Sequence, residues 1–130
     1  MTGLAELDLE EFIGTFFEEA VEHVGNLEAS VLGLESAPDD RELMNAAFRA
    51  AHSLKGSSAI FGLTHISRFT HALETLLDGV RNGTLSWERS FAGLLFRSID
   101  VIRELLAVKG EHLSSQGETL LTELGAIGKK

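Results

Sequence analysis

Phe12, Phe16, Ala20, Val24, Leu27, Val31 and Leu34 recur at steps of three and four residues along the first part of the chain. That spacing lays one apolar stripe along an α-helix and is incompatible with the two-residue period of a half-buried strand. Asp8, with Glu11 three residues on, can cap this helix, which is expected over about 9–35. Pro38 is the only proline in 130 residues and ends it, because the residue before proline avoids the helical region.

The same reading places a second helix over about 40–61, with Asp39 and Glu42 as a capping box and Leu43, Ala47, Ala50 and Leu54 on one face. After Gly62-Leu63, Thr64 can cap a third helix over 64–82, with Ile66, Leu73, Leu76, Leu77 and Val80 inward and Asn82-Gly83 as its stop. Ser86 can open a fourth over 86–108, burying Leu94, Leu95, Ile99, Ile102, Leu105 and Leu106 and ending at Lys109-Gly110. Ser115 and Glu118 open a short fifth over 116–127, and the tail from Gly125 looks frayed. Short links between long amphipathic helices make antiparallel neighbours. The expectation is all-α: an antiparallel up-and-down four-helix bundle with an additional C-terminal helix, one domain over 1–130.

Composition excludes several function classes. There is no cysteine, hence no disulfide and no thiolate metal site, and no tyrosine to serve as a nucleophile. Eleven Lys and Arg against 20 Asp and Glu give a net charge of −9, which disfavours nucleic acid and anionic lipid as partners. No apolar run reaches the ~20 residues that span a bilayer, and the N-terminus lacks the basic and apolar regions of a signal peptide. A cytoplasmic location is expected.

His52 carries the chemistry. On a helical wheel it stands roughly opposite Leu43, Leu54 and Phe61, facing solvent. Gly56 follows one turn on and Ala59 two turns on, on the same face. A glycine inside a helix costs about 1 kcal/mol relative to alanine, which on an exposed face points to a close approach by something else. Arg49 and Lys55 flank His52 at three residues either way, where their charges can meet a phosphoryl group; a solvated charged face is the plainer reading of Arg49. Met44, near the edge of the helix, is partner surface or packing.

The turn near residue 62 sets what lies opposite. His52 precedes it by ten residues, roughly 15 Å of helix, and the same distance beyond it falls near residues 71–74. His71 and Glu74 are there, three apart on one polar face. A carboxylate accepting from one ring N–H fixes the imidazole tautomer and leaves the other lone pair outward. The alternative is a surface His71–Glu74 pair with no role beyond solvation. His23, His65 and His112 show no such constellation and are expected at the surface, as are Glu10, Glu11, Glu18, Glu19 and Glu22.

The run Ala51-His52-Ser53-Leu54-Lys55-Gly56-Ser57-Ser58-Ala59 resembles the phosphorylation motif of histidine-phosphotransfer domains. Phe61-Gly62-Leu63 and Thr70-His71-Ala72-Leu73-Glu74-Thr75-Leu76-Leu77-Asp78 resemble specifically the first domain of CheA-type chemotaxis histidine kinases. The likeness runs from about residue 8 to 108, and Gly56-Ser57-Ser58-Ala59 departs from it by having less glycine. It implies that His52 is the phosphoacceptor, assisted by Lys55, His71 and Glu74. It further implies that a separate CheA-type kinase domain supplies ATP and Mg²⁺, and that a CheY-like response regulator, with its own Mg²⁺, receives the phosphoryl group. The domain itself then needs no cofactor or metal and is a monomer. Two rivals remain: a helical adaptor that is never phosphorylated, and a metal-binding bundle with His52, His71 and Glu74 as ligands.

Overall fold

The computed structural model describes the backbone of residues 3–109 and 113–128, and the side chains of 10–109 and 113–127. Among the described residues five helices follow in order: α1 Gly3–Ser36, α2 Arg41–Ile60, α3 Thr64–Arg81, α4 Arg89–Ala107 and α5 Ser115–Gly128. No strand occurs among the described residues. Helix α1 packs on α2, α2 on α3, α3 on α4, and α4 returns to α1, closing the four-helix bundle; α5 lies against α3 and α4.

The apolar stripes meet in one core. From α1 come Phe16, Ala20, Val24, Leu27, Val31 and Leu34, from α2 Ala47, Ala51 and Leu54, from α3 Ile66, Phe69, Leu73, Leu76 and Leu77, and from α4 Leu95, Ile99, Ile102 and Leu105. Each fully buried leucine, isoleucine or phenylalanine contributes about 1.5–3 kcal/mol of transfer free energy. Leu113, Leu120 and Leu124 seat the fifth helix on this core. The acidic residues from Glu10 to Glu22 on α1 all face water.

Several local expectations are corrected. Helix α1 begins at Gly3, so Asp8 lies inside it and is no cap; Leu4-Ala5-Glu6-Leu7 are good helix formers that carry the helix past the polar residue. Phe12 is 62% exposed instead of buried. At ~1.5 Å per residue, the 34 residues of α1 outreach the 20 of α2 and the 19 of α4, which leaves Phe12 with less to pack on.

Asp40, not Asp39, caps α2, its carboxylate accepting from the Glu42 and Leu43 amides at 3.0 and 3.2 Å. Thr64 gives α3 no N-cap hydrogen bond, and its hydroxyl instead donates to the Gly62 carbonyl at 3.4 Å. Helix α4 starts at Arg89 rather than at Ser86, because half-buried Leu85 and Trp87 hold the preceding loop against the bundle. Ser114 takes the cap assigned to Ser115, accepting from the Gly117 amide at 3.1 Å. Of the two readings of Met44, partner surface or packing, packing holds: it is 5% exposed and belongs to the core, so it is not partner surface. The frayed tail expected from Gly125 is helical through Gly128, and residues 129–130 lie outside the described residues.

Two turns position the site. Gly62, at φ 70°, lets the chain reverse between α2 and α3 through a left-handed conformation that a side chain disfavours. The reversal is short, with the Leu63 amide donating to the Ser58 carbonyl at 2.9 Å, so α2 and α3 are held in one register. Asn82 and Gly83, the latter at φ 87°, end α3 in the same manner.

Candidate functional site

His52 sits on the outer face of α2 with its side chain 61% exposed, because Ala51 and Leu54 on either side of it fill the core-facing positions. Across the α2–α3 seam, Glu74 rises from between Leu73 and Leu76 and is 13% exposed. The His52 Nδ1–H donates to Glu74 Oε2 at 2.6 Å. Lys55 Nζ donates to the other carboxylate oxygen, Oε1, at 2.8 Å. Both oxygens of Glu74 are thereby engaged. The carboxylate dictates the tautomer, with the proton on Nδ1, and Nε2 carries the free lone pair.

Partial burial works against the Glu74 carboxylate and would raise its pKa. The hydrogen bonds from Lys55 and His52, together with the charges of both, outweigh it and hold Glu74 below the ordinary carboxylate value. Glu74 is therefore an anion at neutral pH, able to accept from His52. Lys55, expected to face an incoming phosphoryl group, is turned instead onto Glu74 with 27% of its side chain exposed.

His71, Arg49, Gly56 and Ala59 are placed as follows. His71 is exposed on α3 and makes no hydrogen bond with His52, Lys55 or Glu74; it borders the groove that Lys55, Gly56 and Ala59 also line. Arg49 is exposed and forms no ion pair with a described residue. Beside the imidazole the helix offers free space: a Cβ added at Gly56 would meet nothing within 4 Å. Of the histidines expected at the surface, His23 and His65 are half-buried, with His65 Nδ1 shut from water and unpartnered among the described residues. His112 lies outside the described residues.

Two further contacts complete the site. The Phe48 ring, one turn before His52, stacks on the imidazole with centres 5.8 Å apart and planes 13° apart. The Arg81 guanidinium lies 3.7 Å from the centre of the Phe48 ring and is held by Asp78 at 2.8 Å. A signal for them was present: Phe48 precedes His52 by four residues on one face, and Glu74, Asp78 and Arg81 follow at four and three on α3.

Chemically, the arrangement is an exposed nucleophilic nitrogen with a partly buried anion behind it, as in the base–orienter half of a hydrolase triad.

Comparison with known proteins identifies the family. The family model of the Hpt domain matches residues 11–123. The chemotaxis protein CheA of Borreliella burgdorferi is 41% identical over 106 residues, covering 82% of this chain and 12% of the relative's length. The chain thus spans about an eighth of that relative. The CheA phosphotransferase domain from Thermotoga maritima superposes with a TM-score of 0.71 at 35% identity, covering 75% of this chain and 93% of that one. A phosphorylated P1 domain of CheA3 from R. sphaeroides, solved in complex with CheY6, shares the fold with a TM-score of 0.80 at 23% identity, covering 92% of this chain and 96% of that one. The all-helical bundle, the exposed His52 with its Glu74 partner and a family match over most of the chain agree: this protein belongs to the Hpt domain family, among the histidine-phosphotransfer domains of CheA.

Proposed function

We propose that this chain is the phosphotransfer domain of a chemotaxis-type two-component kinase. His52 accepts the γ-phosphoryl group of ATP from a CheA-type kinase domain and donates it to an aspartate of a CheY-like response regulator. The observation that carries this reading is the 2.6 Å bond from Nδ1 of a ring 61% exposed, which leaves Nε2 as the nucleophile. The phosphorylated state and the CheY6 complex of the R. sphaeroides domain with the same fold support it.

In this mechanism the Nε2 lone pair attacks the γ-phosphorus in line. The bond to the bridging oxygen breaks, and its electron pair leaves with ADP. The product ring bears hydrogen on Nδ1 and phosphorus on Nε2 and is cationic, and Glu74 stabilises that charge through the bond already in place. In the second transfer, the aspartate oxygen of the regulator attacks phosphorus, the N–P bond breaks, and its pair returns to Nε2. Most transition-state stabilisation in phosphoryl transfer comes from Mg²⁺ and cationic groups around the phosphoryl oxygens. Here the kinase and the regulator supply them, and this domain contributes orientation. The chain carries no Gly-rich phosphate loop. In this reading the domain by itself is substrate and phosphodonor, and it works as a cytoplasmic monomer.

The metal-binding alternative fits the geometry poorly. His52 and Glu74 are already joined by a direct hydrogen bond, and the second carboxylate oxygen holds an ammonium group. A cation bound between them would have to displace both.

The test uses a CheA-type kinase core with labelled ATP. Label that is stable to alkali and labile to acid should appear on the wild-type chain, be absent from His52→Gln, and discharge onto CheY-like regulators. Equal labelling of His52→Gln would overturn the assignment.

A further inference from the structure

One hydrogen bond does not fix an imidazole. The Nδ1···Oε2 contact anchors one ring atom, but the ring can still pivot about that line, and each pivot swings the Nε2 lone pair to a new direction. With 61% of the side chain exposed, no core packing stops the motion. In-line attack on phosphorus requires the lone pair to be aimed, so some other group must hold the ring plane.

We propose that Phe48 and Arg81 are positioning residues for phosphoryl transfer, together forming a stacked brace that fixes the plane of the His52 ring; this rests on the phosphotransfer reading above. The Phe48 ring stands one turn before His52 on α2, and its plane lies 13° from that of the imidazole at a centre-to-centre distance of 5.8 Å. That separation is within the range of attractive offset stacking. A ring pivoting out of plane loses the contact.

Phe48 is only half-buried, and it is braced in turn. With Glu74 level with His52 and the two helices antiparallel, Asp78 stands level with the Phe48 turn and Arg81 lies beyond it. Arg81 reaches back over Phe48 with its guanidinium carbon 3.7 Å from the ring centre, well inside cation–π distance. Asp78 Oδ1 accepts from Arg81 Nη2 at 2.8 Å and holds the guanidinium there.

The brace therefore ties the last turn of α3 to the second nitrogen's direction through Phe48, as Glu74 ties the middle of α3 to the first nitrogen.

The experiment compares wild type with Phe48→Leu, which keeps apolar bulk but loses the flat face, and Phe48→Tyr, which restores it. Side-chain NMR couplings report the His52 rotamers. Phosphoramidate serves as a kinase-free donor: its P–N bond breaks as the Nε2–P bond forms, and the nitrogen leaves with the bonding pair as ammonia. Phe48→Leu should spread the His52 rotamers and slow phosphorylation about two- to tenfold, the range a stacking contact supplies. Phe48→Tyr should return both to wild type. With a CheA-type kinase, the loss should fall on kcat and leave KM unchanged.

A folded Phe48→Leu protein with one His52 rotamer and a wild-type rate would overturn the brace. Should that variant fail to fold, exposed Arg81→Gln decides: broadened Phe48 and His52 rotamers support the proposal, and unchanged ones overturn it. Wild-type protein that accepts no phosphoryl group from either donor would refute the phosphotransfer reading, whereas the rotamer data judge the brace on their own.

Discussion

His52 and Glu74 are 22 positions apart in the chain and meet at 2.6 Å across the α2–α3 seam, with the imidazole outside and the carboxylate partly inside. That difference in burial gives the pair its direction. The anion is held by the bundle, and the ring it orients remains open to a partner. Loss of the carboxylate should leave the nucleophile present but unaimed.

Glu74→Ala is expected to slow phosphorylation of His52 by about one to two orders of magnitude, the range typical when the partner that orients a functional histidine through its other ring nitrogen is removed. The helical signal in circular dichroism should be unchanged, since Glu74 is not a core residue. Single-turnover labelling by a CheA-type kinase core measures the rate. A wild-type rate would refute the tautomer argument without refuting the family.

Lys55→Met removes the hydrogen bond and charge that chiefly lower the Glu74 pKa, while the desolvation that raises it remains. The Glu74 carboxyl should then titrate at higher pH than in the wild type. Carbon NMR of the Glu74 side chain across an acid titration checks the direction.

The stability effect of Glu74 has a definite sign. Its pKa is lower folded than the ordinary 4.5, so its contribution is present above that value and is lost as pH falls through the depressed one. Denaturant unfolding of wild type and Glu74→Gln between about pH 3 and 7 should show the wild-type advantage near neutrality, shrinking on acidification. An advantage that grew as pH fell would contradict the ion-pair account.

Gly56→Ala should separate stability from function. An added Cβ meets nothing within 4 Å, and alanine favours the helix by about 0.8–1 kcal/mol, so Tm should rise. Phosphotransfer to a regulator should slow if a partner packs against this stretch of backbone. Transfer kinetics and calorimetry on the same preparation decide, and an unchanged rate would remove Gly56 from the partner surface.

Much of this was legible in the chain. The three- and four-residue apolar steps assigned the core faces, because helix packing and burial share that period. Counting ten residues back and about twelve forward from the turn at Gly62 brought His52 and Glu74 level, because the α2–α3 reversal is short and admits little slip. Helix starts were less legible. Asp39 and Asp40 are equivalent by composition, and only backbone dihedrals select the one whose carboxylate meets the free amides. Phe12 read as core because a stripe says nothing about how far the neighbouring helices extend. Met44 was ambiguous at the edge of a wheel until packing closed over it. Spacing put Phe48 on the His52 face and Arg81 on the Glu74 face, but that Arg81 reaches over Phe48 depends on where a long flexible side chain comes to rest, which periodicity does not encode.

The central claim is that Nε2 of His52, and not Nδ1, is the atom that takes the phosphoryl group. Long-range nitrogen–proton and phosphorus NMR of the ¹⁵N-histidine-labelled domain, before and after phosphorylation, reads this directly. The account predicts an Nδ1–H tautomer in the free domain and phosphorus bonded to His52 Nε2 afterwards. Phosphorus on Nδ1, or on any residue other than His52, would contradict it.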